Sequence, residues 1–200
     1  MARRAEARRA ATPSSPEQRA RRRRILNAAT DLAVARDFDQ LSMTEVARAA
    51  KVALATLYRY FPSKTQLFVA ILRHQIKVLA RDLPTVAPGQ TGAGAAADLL
   101  VEAQRRLLEH PRFAMTLVSA TNAARGEVFA EVVRLDEAFG DLILQAARVS
   151  TPTPADRQAV RLLVWCWFGV LTMTVNGLLS AGAGESDIRR ATGLLLADLG

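Results

Sequence analysis

Two hundred residues, half of them hydrophobic and 23% charged, make a chain that folds around a core rather than staying disordered. A lone Cys166 excludes an internal disulfide framework and a Cys-cluster zinc site and fits a reducing cytoplasm, while two histidines, His74 and His110, leave metal catalysis short of ligands. The net charge of +8 is unevenly held: residues 1–24 carry nine Arg against Glu6 and Glu17, whereas residues 84–200 carry ten basic against twelve acidic residues. Such a split assigns a polyanion-facing role to the N-terminal part and another role to the rest.

Residues 1–18 are Ala, Arg, Ser and Pro without apolar periodicity and are expected to form a disordered basic arm. From about Arg19, Ile25, Ala28, Ala29, Leu32 and Ala33 recur at helical spacing, so a first helix is expected to run to Arg36–Asp37. Ser42 followed by Glu45 is a capping box that opens a short helix over Met43–Ala50. A second short helix, Leu54–Phe61, must stop before Pro62, and Ser63 caps a longer one from Lys64 to about Leu83.

Pro84 to Gly94 is the clearest break and coincides with the change of charge sign. Beyond it, helices are expected at about 95–109, 112–124, 127–149, 155–182 and 186–199, with no strand pattern and no internal repeat. The expected architecture is therefore all-α: a basic arm (1–18), a helix-turn-helix domain with a linking helix (19–83), and a C-terminal helical domain (84–200).

Two short helices between longer ones describe a helix-turn-helix, whose second short helix enters the major groove. In this segment Leu57 and Phe61 are expected to face the core with Val52, leaving Thr56, Tyr58, Arg59 and Tyr60 on the outer arc. Hydroxyls and a guanidinium suit phosphate, and Arg also reads guanine edges. Lys64 lies at a helix N-terminus that favours phosphate.

The run Leu41-Ser-Met-Thr-Glu-Val-Ala47, then Thr56-Leu-Tyr-Arg-Tyr-Phe-Pro-Ser-Lys64 and Leu67, resembles the DNA-binding domain of TetR-family transcriptional regulators over about residues 20–72. The resemblance implies a bacterial, cytoplasmic, homodimeric regulator of transcription, a repressor released from a palindromic operator by a small-molecule inducer. It places Thr44 on the first short helix as a base or phosphate contact. Ala55 would approach base edges or thymine methyls, with Thr56, Tyr58, Arg59, Tyr60 and Lys64 beside it. Two positions depart from the family, which usually has Gly at Asp37 and at Lys51. Lys in a left-handed turn costs about 1 kcal/mol, partly offset here if Lys51 faces phosphate. The run Arg21, Arg22, Arg23 and Arg24, read as preceding the first helix, is expected to meet phosphate or the minor groove.

The C-terminal part is then expected to dimerise and sense the ligand. On the 155–182 helix, Trp165, Phe168, Thr172 and Asn176 are candidate pocket residues, with Phe113, Met115 and Leu117 from a neighbouring helix. Trp167, Val170, Thr174, Leu178 and Ala181 on the opposite arc would pack in the core or across the dimer. The wording of residues 52–64, with a non-Gly turn residue, is similar to actinobacterial repressors of steroid catabolism and implies a large apolar inducer, such as a CoA thioester.

Two other readings compete. Leu162 to Gly184 carries no formal charge and is long enough to span a bilayer, which would give a membrane-tethered regulator. Against that, the run holds Thr, Asn, Ser and several Gly, with no positive-inside bias at its ends. A helical enzyme lacks support: Gly89 to Gly94 superficially resembles a nucleotide loop but has the wrong glycine order and no following Lys-Ser/Thr, and no nucleophile–base pairing stands out. No catalytic residue, cofactor or metal is assigned.

Overall fold

The computed structural model describes residues 11–35, 40–81, 89–123 and 126–197, without the side chains of residue 123 and residues 126–128. These residues form nine helices and no strand: α1 (Pro16–Ala35), α2 (Met43–Ala49), α3 (Leu54–Tyr60), α4 (Lys64–Arg81), α5 (Gly92–Leu108), α6 (Pro111–Ala123), α7 (Gly126–Ala146), α8 (Pro154–Val175) and α9 (Ala181–Leu195). Most of the expected arm (residues 1–10), the Asp37 turn and most of the Pro84 break lie outside the described residues.

Helix starts follow side-chain chemistry. Ser42 and Glu45 form the expected reciprocal capping box at α2, and Thr153 with Asp156 forms a second one at α8, with Pro154 in the first turn. Ser15 accepts the Gln18 N–H at 3.2 Å, so α1 begins at Pro16, inside the segment read as arm. The four arginines at 21–24 consequently sit within α1 rather than ahead of it, and their side chains fan around the helix at about 100° per residue instead of forming an extended strand.

Three helices end in the same way. Gly177 N–H bonds Thr174 O and Leu178 N–H bonds Met173 O, the paired bonds of a Schellman motif, with Gly177 at φ 73°. The run read as one helix over 155–182 is therefore split: α8 stops at Val175, and α9 starts anew at Ala181 on a Ser180 cap. That break also removes the single uncharged span of 162–184. Among the described residues α8 is the one helix long and apolar enough to cross a membrane; one side of it, with Val160, Leu163, Val164, Trp167 and Leu171, is buried inside the protein. At the ends of α2 and α7 the same paired bonds place Lys51 (φ 53°) and Arg148 (φ 62°) in the left-handed conformation. The turn thus keeps the geometry glycine would favour, with a lysine carrying the strain.

Two main cores form, and neither respects the sequence break. The first gathers Ile25, Leu41, Val46, Leu57, Phe61, Leu67, Phe68 and Ile71 from α1–α4 together with Phe113, Leu117 and Ala120 of α6. The second holds Leu99, Leu100, Phe139, Ile143, Leu163, Trp167, Leu171 and Ile188 of the C-terminal helices with Leu79 of α4. A smaller cluster joins Val69 of α4 to Val132 and Leu135 of α7. Each fully buried Leu, Ile or Phe contributes about 1.5–3 kcal/mol. α4 and α6 therefore tie the N-terminal helices to the C-terminal body through packing, reinforced where Arg112 donates to the Ala35 carbonyl at 3.1 Å.

Candidate nucleic-acid interface and ligand cavity

α2 and α3 are seven residues each, too short to persist alone, and the first core fixes them. Leu57, Tyr60 and Phe61 point inward. Outward, Thr44 in the first turn of α2, Lys51 in the turn, and Ala55, Tyr58 and Arg59 on α3 form one exposed set, with Thr56 half-buried beside it. Leu54 and Tyr58 are among the exposed large hydrophobic side chains. Hydroxyls, a methyl and two cations presented from one short helix and its preceding turn are the chemistry of phosphate and base-edge contact.

Three expected contacts are placed differently. Tyr60 is 2% exposed with its hydroxyl buried and without a hydrogen-bond partner among the described residues, so it belongs to the core; at i+3 from Leu57 it lies on the buried stripe. Arg59 rests its guanidinium 5.3 Å from the Tyr60 ring centroid. Lys64 donates from Nζ to the Leu41 carbonyl at 3.1 Å, tying the start of α4 to the residue before the α2 cap. Arg22 turns inward over the Phe61 ring at 5.1 Å. Burial, then the neighbouring Arg73, pull its guanidinium below its ordinary value, with Glu131 acting the other way. Of the remaining arginines, Arg23 and Arg24 are exposed and Arg21 is half-buried. Ahead of them, the Ala11 N–H donates to the Arg59 carbonyl at 2.9 Å, so the described end of the N-terminal segment lies against α3.

A cavity of about 890 Å³ opens between the N-terminal helices and the C-terminal body. Thr30, Asp31 and Val34 of α1 and Leu72, Ile76 and Leu79 of α4 form one side. Phe113 and Leu117 of α6, Phe129, Val132, Asp136 and Phe139 of α7, and Trp165, Trp167 and Phe168 of α8 form the other. Of the expected pocket residues, Phe113, Leu117, Trp165 and Phe168 line it; Met115, Thr172 and Asn176 do not. Met115 is exposed, the Thr172 hydroxyl donates to the Phe168 carbonyl, and the Asn176 amide donates to Thr172 O at the C-terminus of α8.

The arc of α8 expected to line a pocket mostly faces outward: Leu162, Trp165, Cys166, Gly169, Met173 and Asn176 are exposed on one face. On the other arc Trp167 is inward, its indole N–H donating to Leu100 O at 3.0 Å and its ring tilted on Phe139 at 5.1 Å; Val170 and Thr174 are half-buried, while Leu178 and Ala181 lie beyond the end of α8 and are exposed. Trp165 sits at the border, half exposed and yet in the cavity wall.

The sequence predicts the helix at 127–149, which is α7, but assigns it no cavity residue. Its Asp136 carboxyl is held above its ordinary value by burial first and then by Glu137, with Trp165 acting the other way. A lone acid in the stripe Phe129, Val132, Val133, Asp136, Phe139 was the available signal. Among the described residues, no three His, Cys, Asp or Glu side chains are placed to hold a metal.

These features have close counterparts among known proteins. A family model described as bacterial regulatory proteins, tetR family, matches residues 25–71, and one described as tetracyclin repressor-like, C-terminal domain, matches residues 89–195. The chain belongs to the TetR family. It is thus a regulator of transcription and not an enzyme. This TetR-family chain is 28% identical over 185 residues to the HTH-type transcriptional repressor KstR of Rhodococcus jostii, covering 92% of this chain and 87% of that protein. The crystal structure of a TetR transcriptional regulator from Rhodococcus sp. RHA1 superimposes with a TM-score of 0.87 at 42% identity, covering 92% of this chain and all of that one. The fold is shared more distantly with Thermus thermophilus FadR, a TetR-family repressor solved with lauroyl-CoA (TM-score 0.63, 23% identity, covering 89% and 94%).

Proposed function

We propose that this regulator is a homodimeric repressor that presents α3 of each protomer to a palindromic operator and is released by a large, mostly apolar ligand. The observation that carries the reading is the shared wall of the cavity: α1 and α4, which hold α2 and α3, line it together with α6, α7 and α8. A ligand that fills it more snugly in one arrangement of α4 than another shifts the population toward that arrangement. Operator affinity then falls by the ligand's differential affinity for the two states. A volume of 890 Å³ is at the upper end of small-molecule sites, which suits a ligand of steroid or acyl-chain size.

DNA contact falls to Thr44, Lys51, Ala55, Thr56, Tyr58 and Arg59, with Lys64 adding charge while it braces the start of α4. Dimerisation falls to the outward face of α8 and α9. Leu162, Met173 and Leu194 are exposed there, as is Leu178 in the turn between the two helices, and a Cβ added at Gly169, Gly182 or Gly193 would meet nothing within 4 Å. An apolar face of this kind on a soluble domain marks an interaction surface. A regulator built this way works in the cytoplasm, where bacterial DNA is.

Selection of bound duplexes from a random DNA pool at moderate salt tests the reading. Palindromes with half-sites about one helical turn apart, bound by a dimer on sedimentation, are the expected result. Enrichment of no sequence, or a monomer on the DNA, overturns it.

A further inference from the structure

We propose that the cavity recognises a lipophilic cation, an amine or quaternary ammonium on a bulky apolar body, with Asp136 as its counter-ion. This rests on the cavity being the ligand site, and it specifies the chemistry of the ligand.

Asp136 stands on the lining face of α7, with Phe129 two turns before it and Phe139 one turn after, and Trp165 of α8 lines the same cavity. It is half-buried, with the buried Val132, Leu135 and Phe139 near it on the same helix. The charged neighbour acting on it is Glu137, of the same sign, where a structural ion pair would supply a cation. The other acids on the wall, Asp31 and Glu109, leave the lining with three carboxylates. Against them stand His110 and Arg106, whose Nε is bonded to Glu102 at 2.8 Å. An acid half-buried beside a like charge is disfavoured as its anion, and a proton or a cation relieves that.

The surrounding rings provide the second half of such a site. Trp165, Phe129, Phe139, Trp167 and Phe168 line the cavity, and aromatic faces attract cations within about 6 Å of the ring centroid. Trp165 already shows this property, since Arg161, which is not part of the wall, holds its guanidinium 5.6 Å from the ring centroid. An anionic ligand head placed among these rings would instead meet the half-buried Asp136 carboxyl, while Asp31, Glu109 and His110 stand at the exposed edge of the wall.

Tetraphenylphosphonium and tetraphenylborate have the same shape and opposite charge, so they isolate the sign of the recognised group. Titrated into the full-length dimer and followed by tryptophan fluorescence and calorimetry, the phosphonium is expected to bind at least about tenfold more tightly than the borate. Asp136→Asn is expected to remove most of that preference by weakening the phosphonium alone. Equal affinities, a preference for the borate, failure of both ions to bind, or an unchanged preference in Asp136→Asn each overturn the proposal, and the wild-type comparison decides it even if the variant does not fold. Progesterone, a neutral probe, separates the two readings. If it releases operator DNA while the ions are not distinguished, the cavity remains the inducer site and only the cationic assignment fails. If no probe of any charge binds, the inducer site fails with it.

Discussion

The helices from α1 to α4 and those from α5 to α9 both bury large apolar side chains, but they set their geometry by different means. In the first group the decisive pieces are local. A capping box opens α2, a Schellman turn closes it, Pro62 stops α3, and Lys64 reaches back to the Leu41 carbonyl. In the second group the helices are 13–22 residues long and their mutual placement is set by packing: Trp167 against Phe139 and Leu100, and α9 against α5 and α8. The pairs Arg105–Glu185 and Arg189–Asp98, both at 2.6 Å, cross from α5 to α9 at the surface, where ion pairs contribute little. Local chemistry gives the DNA-facing turn a fixed shape, while packing leaves room for a cavity whose wall can respond to a ligand.

The sharpest test of that contrast lies in two tryptophans on one helix. Trp167→Ala removes a buried ring and its hydrogen bond to Leu100, and is expected to cost about 3–5 kcal/mol in chemical denaturation. Trp165→Ala, at the border of the cavity, is expected to cost under about 1 kcal/mol while weakening any cavity ligand. Comparable losses from both would mean that Trp165 is a core residue and that the cavity wall is part of the rigid packing.

This pair also shows what the sequence makes legible. Periodicity located α8 and its two apolar arcs, but both arcs carry an indole and small polar residues, so nothing local says which turns inward. Packing of α5 and α7 decides it. Tyr60 failed for a different reason: its i+3 spacing from Leu57 placed it inside, and its hydroxyl drew it outside. By contrast, Ser42–Glu45 and the stop before Pro62 were readable because each acts within four residues. Ser15–Pro16 and Ser180 were equally local signals, and the charge run and uncharged run around them concealed them.

Within the N-terminal group, Arg59→Ala is expected to weaken operator binding by about 1–3 kcal/mol and to relax specificity at one base pair. Tyr60→Phe is expected to leave binding unchanged and stability equal or slightly higher, because it removes a buried hydroxyl that has no partner among the described residues. Competition titrations against operator variants distinguish these. A loss of affinity in Tyr60→Phe would return that hydroxyl to the interface.

In the C-terminal group, Asp136 makes stability depend on pH. Its folded pKa is raised, so the folded state binds the proton more readily than the unfolded chain. The associated stability is present below the ordinary carboxylate value and is lost as pH rises through the raised one. Asp136→Asn is therefore expected to be more stable than the parent at neutral pH, with the difference shrinking as pH falls toward 4, about where an unperturbed Asp titrates. Melting curves of the two proteins across that range check the sign, and a gap that widens on acidification would mean that a cation already pairs with Asp136.

The smallest expected effect compares one backbone feature in both regions. Lys51 and Arg148 each occupy the left-handed position after a helix, closed by the same pair of bonds. Replacing either by Gly relieves about 1–2 kcal/mol of strain, and the greater freedom of unfolded Gly returns part of it, leaving about 0.5–1 kcal/mol of added stability. The stability gain is expected to be the same at both sites because the geometry is the same. On DNA the two must differ. Lys51 lies between α2 and α3 with its side chain exposed, so losing its charge is expected to reduce the slope of log K against log salt by about 1. Arg148, after α7, is expected to leave that slope unchanged. Equal slopes for Lys51→Gly and the parent would show that the turn keeps lysine without using its charge on DNA, and a loss of stability at Lys51 alone would show that its side chain repays the strain within the protein.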